Sequence, residues 1–188
     1  MKTMIASGLA VVLMAASAWA GELKSGLQPG ELVGAFDVEK CGGAVNDGIE
    51  VGDNLCYRCM LKARPVVMVF ARKADAQLAD LVKELDKTVA ANSDKKLGSF
   101  INLIGKDQDE LKAKAKKFAA ENKVSNVALV VPADNENGPD EFNISPDAEV
   151  TVIIYREGTV AVNHAVAPGK LDKKTIQGIV ADTGKVLK

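Results

Sequence analysis

The sequence offers little to the common kinds of active site. Its single histidine, His164, leaves no Ser/His/Asp set for nucleophilic catalysis, and there is no glycine-rich phosphate loop. Neither sign of charge is in excess: 24 basic and 25 acidic side chains give a formal net charge of −1. The lysines are scattered over helical stretches as a solvated face. No basic stripe points to nucleic acid as a partner. After the first 20 residues no apolar run is long enough to span a membrane. There is no internal repeat. Cysteine is scarce and odd in number, with only Cys41, Cys56 and Cys59. At least one thiol is therefore free, pairs between chains, or binds something.

What is present begins with an export pattern. Lys2 supplies a positive start, Met4 to Ala16 an apolar run, and Ala18-Trp19-Ala20 a small-x-small cleavage site. The run is shorter than the roughly 20 residues of a spanning helix, so residues 1–20 read as a cleaved signal peptide. No cysteine follows directly to carry a lipid. The mature chain is expected to start near Gly21 and to be secreted or periplasmic, with no membrane anchor after cleavage. The remaining residues, 21–188, suit one domain with a core of its own. Export places all three cysteines where disulfides persist.

The mature chain reads as strands alternating with helices. Pro29-Gly30 and Gly34 mark a turn-rich lead-in, and Ala35 to Val38 a short strand. Gly42 to Asn54, with four glycines, reads as a loop. Pro65 to Phe70 is an apolar, Val-rich run of strand length, buried on both faces, with proline at its first position. Ala74 to Asn92 carries Leu78, Leu81, Val82, Leu85 and Val89 at helical spacing. Leu97 to Ile104 is a second buried strand. Asp107 and Glu110 look like a capping box for a helix that buries Leu111, Ala115, Phe118 and Ala119. Val127 to Val131 is a third strand, and Pro132 to Pro146 a polar surface loop. Glu149–Tyr155 and Thr159–Val166 flank Arg156-Glu157-Gly158 as a hairpin, and Asp172 caps a last helix with Ile176, Ile179 and Val180 inward. This order predicts an α/β fold whose mixed sheet has parallel core strands and an antiparallel C-terminal hairpin.

The chemistry centres on Leu55-Cys56-Tyr57-Arg58-Cys59, directly ahead of the first buried strand. A helical turn over these residues brings both sulfurs to one side. Arg58, Lys62 and Arg64 would favour thiolate, and Cys56, nearer the start of the turn, is the expected nucleophile. The same pair, or Cys41 with one of them, could instead be a structural disulfide that pins the Gly-rich loop. A third possibility is metal: Cys41, Cys56, Cys59 and His164 could make a zinc set, and the sulfurs with Met60 and His164 would suit copper. Met60 argues against covalent haem, since it stands where Cys-x-x-Cys-His needs its histidine. No cofactor is implied.

The element order, the Pro29-Gly30-to-Phe36 lead-in and the Tyr155-Arg156-Glu157-Gly158-Thr159-Val160 hairpin resemble the thioredoxin superfamily. They are most similar to its peroxiredoxin-like and secreted thiol:disulfide interchange branch. The resemblance covers about Leu27 to Leu187. It implies a three-layer thioredoxin-like fold with an N-terminal strand extension, and protein thiols or disulfides as partners. It also implies a standard site that this chain lacks. Counted from Phe70, the two family cysteine positions are Asp75 and Leu78, and the family's cis-proline falls at Glu149 or Val150. Arg72, Asp75 and His164 could cluster at that vacant place to bind an anion or shuttle a proton, but a solvent-exposed strand end with ordinary charges is the preferred reading. The dithiol, lying before the strand, would enter at the other end of the sheet. Three function classes stay open: an exported thiol–disulfide oxidoreductase, a binding or structural domain with a stapled loop, and a metal carrier.

Overall fold

A computed structural model describes residues 23–188. The expected signal peptide over residues 1–20 and the mature start at Gly21 lie outside the described residues. The described chain runs β1 (Val38–Gly43), β2 (Asn54–Leu55), α1 (Tyr57–Leu61), β3 (Val66–Ala71), α2 (Ala76–Ala91), β4 (Gly98–Leu103), α3 (Gln108–Glu121), β5 (Ala128–Pro132), β6 (Val150–Arg156), β7 (Thr159–Val166) and α4 (Lys173–Asp182).

The central strand β3 is buried at every position because the sheet is covered on both sides. Its side chains alternate: Val67, Val69 and Ala71 join one core, Val66, Met68 and Phe70 the other. It runs parallel to β4 and antiparallel to β6, with Val66 opposite both Gly98 and Tyr155. The sheet order is β2-β1-β5-β4-β3-β6-β7. The parallel trio β5-β4-β3 is thus flanked by the β6–β7 hairpin on one side and the antiparallel β1–β2 extension on the other. The hairpin closes through Glu157 and Gly158, both at positive φ (56° and 78°), the backbone of a two-residue turn that matches strand twist.

The two faces are covered differently. The connections β3-α2-β4 and β4-α3-β5 step the same way across the sheet, so α2 and α3 share a face, as right-handed crossovers require. The C-terminal helix α4 joins them through Ile176 and Ile179. Each of the three begins with an aspartate whose side chain accepts a backbone N–H three residues on: Asp75 from Leu78, Asp107 from Glu110, Asp172 from Thr175. The opposite face has only the short α1, the lead-in and the segment after β5. Ser25 ties the lead-in down through Thr151 Oγ1 at 2.6 Å, and the Asn163 side chain donates to the Ser25 and Leu27 carbonyls.

Two expectations are corrected. The first strand begins at Val38, not Ala35, and continues through Gly43 with a bulge between Lys40 and Gly42. The glycines that read as loop permit close packing instead: a Cβ on Gly43 would lie 2.0 Å from the Val127 carbonyl oxygen. The 132–146 stretch is not wholly a surface loop. It contains a 3-10 turn at Asp140–Phe142, and Phe142 and Ile144 are buried. Phe142 meets Phe36 at 5.0 Å and Phe70 at 5.6 Å between ring centroids, closing the second core.

Candidate functional site

The dithiol lies at the entrance to β3. Cys56 is the N-cap of α1, in extended backbone, and its Sγ accepts the Cys59 N–H at 3.0 Å. The two cysteines form a disulfide, with their Cα atoms 5.2 Å apart. Cys56 is half-buried and Cys59 exposed. The helix ends at Lys62, at φ 52°, and Pro65 then opens the strand.

A helix of five residues has little stability of its own, so its position depends on packing. Tyr57 and Leu61 are buried beneath it. The Tyr57 ring stacks on Phe100 at 5.3 Å, and Leu61 occupies the space that Gly98 leaves open. The Tyr57 hydroxyl donates to Asp47 Oδ2; burial first, and the Asp47 carboxylate second, hold it well above the usual phenol range. Asp47 Oδ1 receives the Ile49 N–H at 2.9 Å and the Lys40 ammonium at 2.7 Å. That ammonium also donates to the carbonyls of Ala44 (3.0 Å) and Ile49 (2.9 Å), which satisfies all three of its donors at 2% exposure. The Gly-rich loop is therefore pinned to α1 by a buried lysine and an aspartate. No sequence motif announces this network, because a lysine inside a strand reads as solvent-facing.

Arg58, between the cysteines, is held in place on its other side. Its Nε donates to the Val33 carbonyl at 3.1 Å, and its guanidinium covers Gly158, where a Cβ would sit 2.4 Å from Nη2. It clamps α1 to the lead-in and to the hairpin turn. Lys62 and Arg64 are exposed. Beside α1 a cleft of about 370 Å³ is lined by Asp47, Tyr57, Met60, Leu61, Arg64 and Leu97.

The other singled-out residues lie elsewhere. Cys41 is a free thiol at 2% exposure on the α2/α3 face, away from Tyr57 and Leu61. Burial, with Glu39 adding to it and Lys116 and Lys112 opposing, pushes its thiol up to about 11. His164, on edge strand β7, has Nε2 3.1 Å from Asp182 Oδ2, an ion-pair distance without hydrogen-bond alignment. Cys41 and His164 thus sit on strands near opposite edges of the sheet, while the dithiol is on α1. The structure does not bring the four together, nor Cys41 to either partner. Among the described residues no group of three or more His, Cys, Asp or Glu side chains converges to hold a metal ion.

At the vacant end Arg72 and Asp75 line one cleft, and His164 lines another. Asp75 caps α2 and Leu78 is buried at 1% exposure. Arg72 donates to the carbonyls of Ala148, Glu136 and Ser145 and to Asn137 Oδ1, and burial lowers its pKa from the ordinary value. Glu149 is 5% exposed and paired with Lys73 at 2.5 Å. Peptide bonds among the described residues are trans.

No family model matches the chain, and no curated protein matches its sequence. Solved structures do match its fold. A protein assigned as the thiol:disulfide interchange protein DsbE of Chlorobium tepidum superposes with a TM-score of 0.57 at 16% identity, over 84% of this chain and 99% of its own. Mycobacterium tuberculosis AhpC gives 0.63 at 10% identity, over 86% and 99%. The peroxidoxin BcpB of the same organism gives 0.60 at 14% identity, over 85% and 98%. The fold is thioredoxin-like, and its resemblance to thiol:disulfide interchange and peroxiredoxin structures spans most of each chain.

Proposed function

We propose that this is an exported thiol–disulfide oxidoreductase that acts on polypeptide thiols through Cys56 and Cys59. The observation that carries the reading is a disulfide set on the exposed side of a short helix whose other side is fixed to the core. A disulfide that exchanges must be reachable by a thiolate and must find its two sulfurs still adjacent after opening. The Tyr57–Asp47–Lys40 network and the Arg58 clamp supply the second condition, since neither involves the sulfurs.

A polypeptide partner is supported by apolar side chains on the two segments bonded to α1, the lead-in through Arg58 and the Gly-rich loop through Tyr57. The exposed large apolar side chains among the described residues are Leu32, Val45 and Val51. Leu32 adjoins Val33, which receives Arg58; Val45 follows Ala44, which lines the cleft beside Met60; Val51 lies shortly before Cys56. The structural neighbours named for disulfide interchange are compatible with the same partner class. Export rests on the Lys2, Met4–Ala16 and Ala18-Trp19-Ala20 pattern; the secreted or periplasmic product should begin at Gly21 on N-terminal sequencing.

The test is a redox titration of the oxidised protein and of Cys41→Ser against glutathione or dithiothreitol buffers. Exchange-active pairs lie above about −300 mV and structural staples below it. A midpoint above that boundary in both proteins supports the oxidoreductase. The second reading, a binding domain with a stapled loop, draws on the thiol-free positions Asp75 and Leu78. Resistance to reduction would establish it.

A further inference from the structure

We infer that the dithiol runs in the order opposite to the one its sequence suggests: Cys59 is the sulfur that exchanges with the partner, and Cys56 is the sulfur that leaves. This rests on the oxidoreductase reading and adds the identity of the attacked atom.

Access separates the two residues first. Cys59, in the second half of the turn, is exposed, whereas Cys56 is half-buried at the junction of β2 and α1. Exchange requires an incoming thiolate to reach one sulfur and expel the other, so the open residue is the one attacked. Stabilisation of the leaving atom separates them second. The Cys56 Sγ already accepts the Cys59 N–H at 3.0 Å. When the S–S bond breaks, the departing sulfur takes the electron pair, and a hydrogen bond to an anion is stronger than one to a neutral acceptor. Among the described residues no hydrogen bond reaches the Cys59 sulfur. The donor is held in place by the helix, because Tyr57 and Leu61 are buried and Arg58 is clamped to Val33.

The step balances as follows. A thiolate of a dithiol partner attacks Cys59 Sγ. A partner–Cys59 disulfide forms, the Cys56–Cys59 bond breaks, and Cys56 leaves as thiolate facing the Cys59 N–H. The partner's second thiol, having lost its proton to solvent, then attacks its own sulfur in the mixed disulfide and releases Cys59 as thiolate. The partner is oxidised by two electrons to its disulfide, and the protein is reduced to the dithiol state. The reverse sequence reduces a partner disulfide.

The experiment uses glutathione as probe on the mature protein carrying Cys41→Ser. Oxidised protein is mixed with excess reduced glutathione, quenched with acid, and mapped by peptide mass. In parallel, Cys56→Ser and Cys59→Ser forms are treated with glutathione disulfide, with circular dichroism to verify folding. The adduct is expected on Cys59. At a pH where both thiols are ionised, Cys56→Ser should be glutathionylated severalfold faster than Cys59→Ser, because the N–H that stabilises the Cys56 thiolate also lowers its nucleophilicity. An adduct mainly on Cys56, or equal rates in the two variants, overturns the inference while leaving the oxidoreductase reading intact. A disulfide that no glutathione ratio opens overturns both.

Discussion

The two ends of the sheet hold opposite kinds of chemistry. Where β3 finishes, the two positions at which the resemblance implies cysteines are filled by a helix cap, Asp75, and a core leucine, Leu78. Arg72 there has four hydrogen bonds to the 136–148 segment, and Glu149 is paired with Lys73. Asp75, Arg72 and Glu149 each have a structural partner. Where β3 begins, the dithiol is the exposed part of a helix whose buried side is over-determined by Tyr57, Leu61, Lys40 and Arg58. A reactive group needs a support that does not use the reactive atoms, and only the second end has that division. The same fold can thus carry a dithiol at either end, and side chains decide which.

The strongest way to break the comparison is to open the closed end. Phe70→Ala empties a site at 1% exposure between Phe36 and Phe142, and should cost about 3–5 kcal/mol in chemical denaturation. The dithiol midpoint should stay where it is, since the cavity lies at the far end of the strand. A shift in that midpoint would show that the two ends are coupled.

Next in size is the support of the dithiol end. Lys40→Met leaves Asp47 and the carbonyls of Ala44 and Ile49 without their ammonium, and should cost about 2–3 kcal/mol. Hydrogen exchange should speed up in residues 44–53 before it does in β3. Unchanged protection there would mean that the lysine does not hold the loop.

The third effect is alkaline. The Cys41 thiol is raised from 9.0 to about 11 by burial in the folded protein. Its contribution to stability is therefore complete below pH 9 and is lost as pH rises towards 11, on the order of 2 kcal/mol. Denaturation of the wild type across that range should fall more steeply than that of Cys41→Ala. Parallel curves would place the thiol in a more open setting than its 2% exposure indicates.

The smallest effect sharpens the comparison most. Asp75→Ala removes the N-cap bond to Leu78 and should cost about 1 kcal/mol. Disulfide exchange should be unaffected. A folded Asp75→Ala protein without exchange activity would place chemistry at the end where no thiol stands.

Much of the fold was legible because burial periodicity is a local property. The helical spacing of Leu111, Ala115, Phe118 and Ala119 and the burial of β3 on both faces appear in the structure as the sequence predicts. Element order also placed the dithiol before the strand rather than after it. The misreadings share one cause. Gly42 and Gly43 read as punctuation, and Phe142 as part of a polar loop, because sequence shows which residues are flexible or polar on average but not what presses against them.

The sequence by itself determined the strand–helix alternation, the caps at Asp107 and Asp172, and the two-residue spacing that lets Cys56 and Cys59 close a ring. These depend on neighbours within a few residues. Only the tertiary structure decided that Cys41 and His164 stand apart from that pair, that Arg58 grips Val33 rather than a sulfur, and that Lys40 is buried. Each of those depends on which strand lies beside which and which face a helix covers. Such contacts join residues up to more than a hundred positions apart, as between Ser25 and Thr151, and no local pattern encodes them.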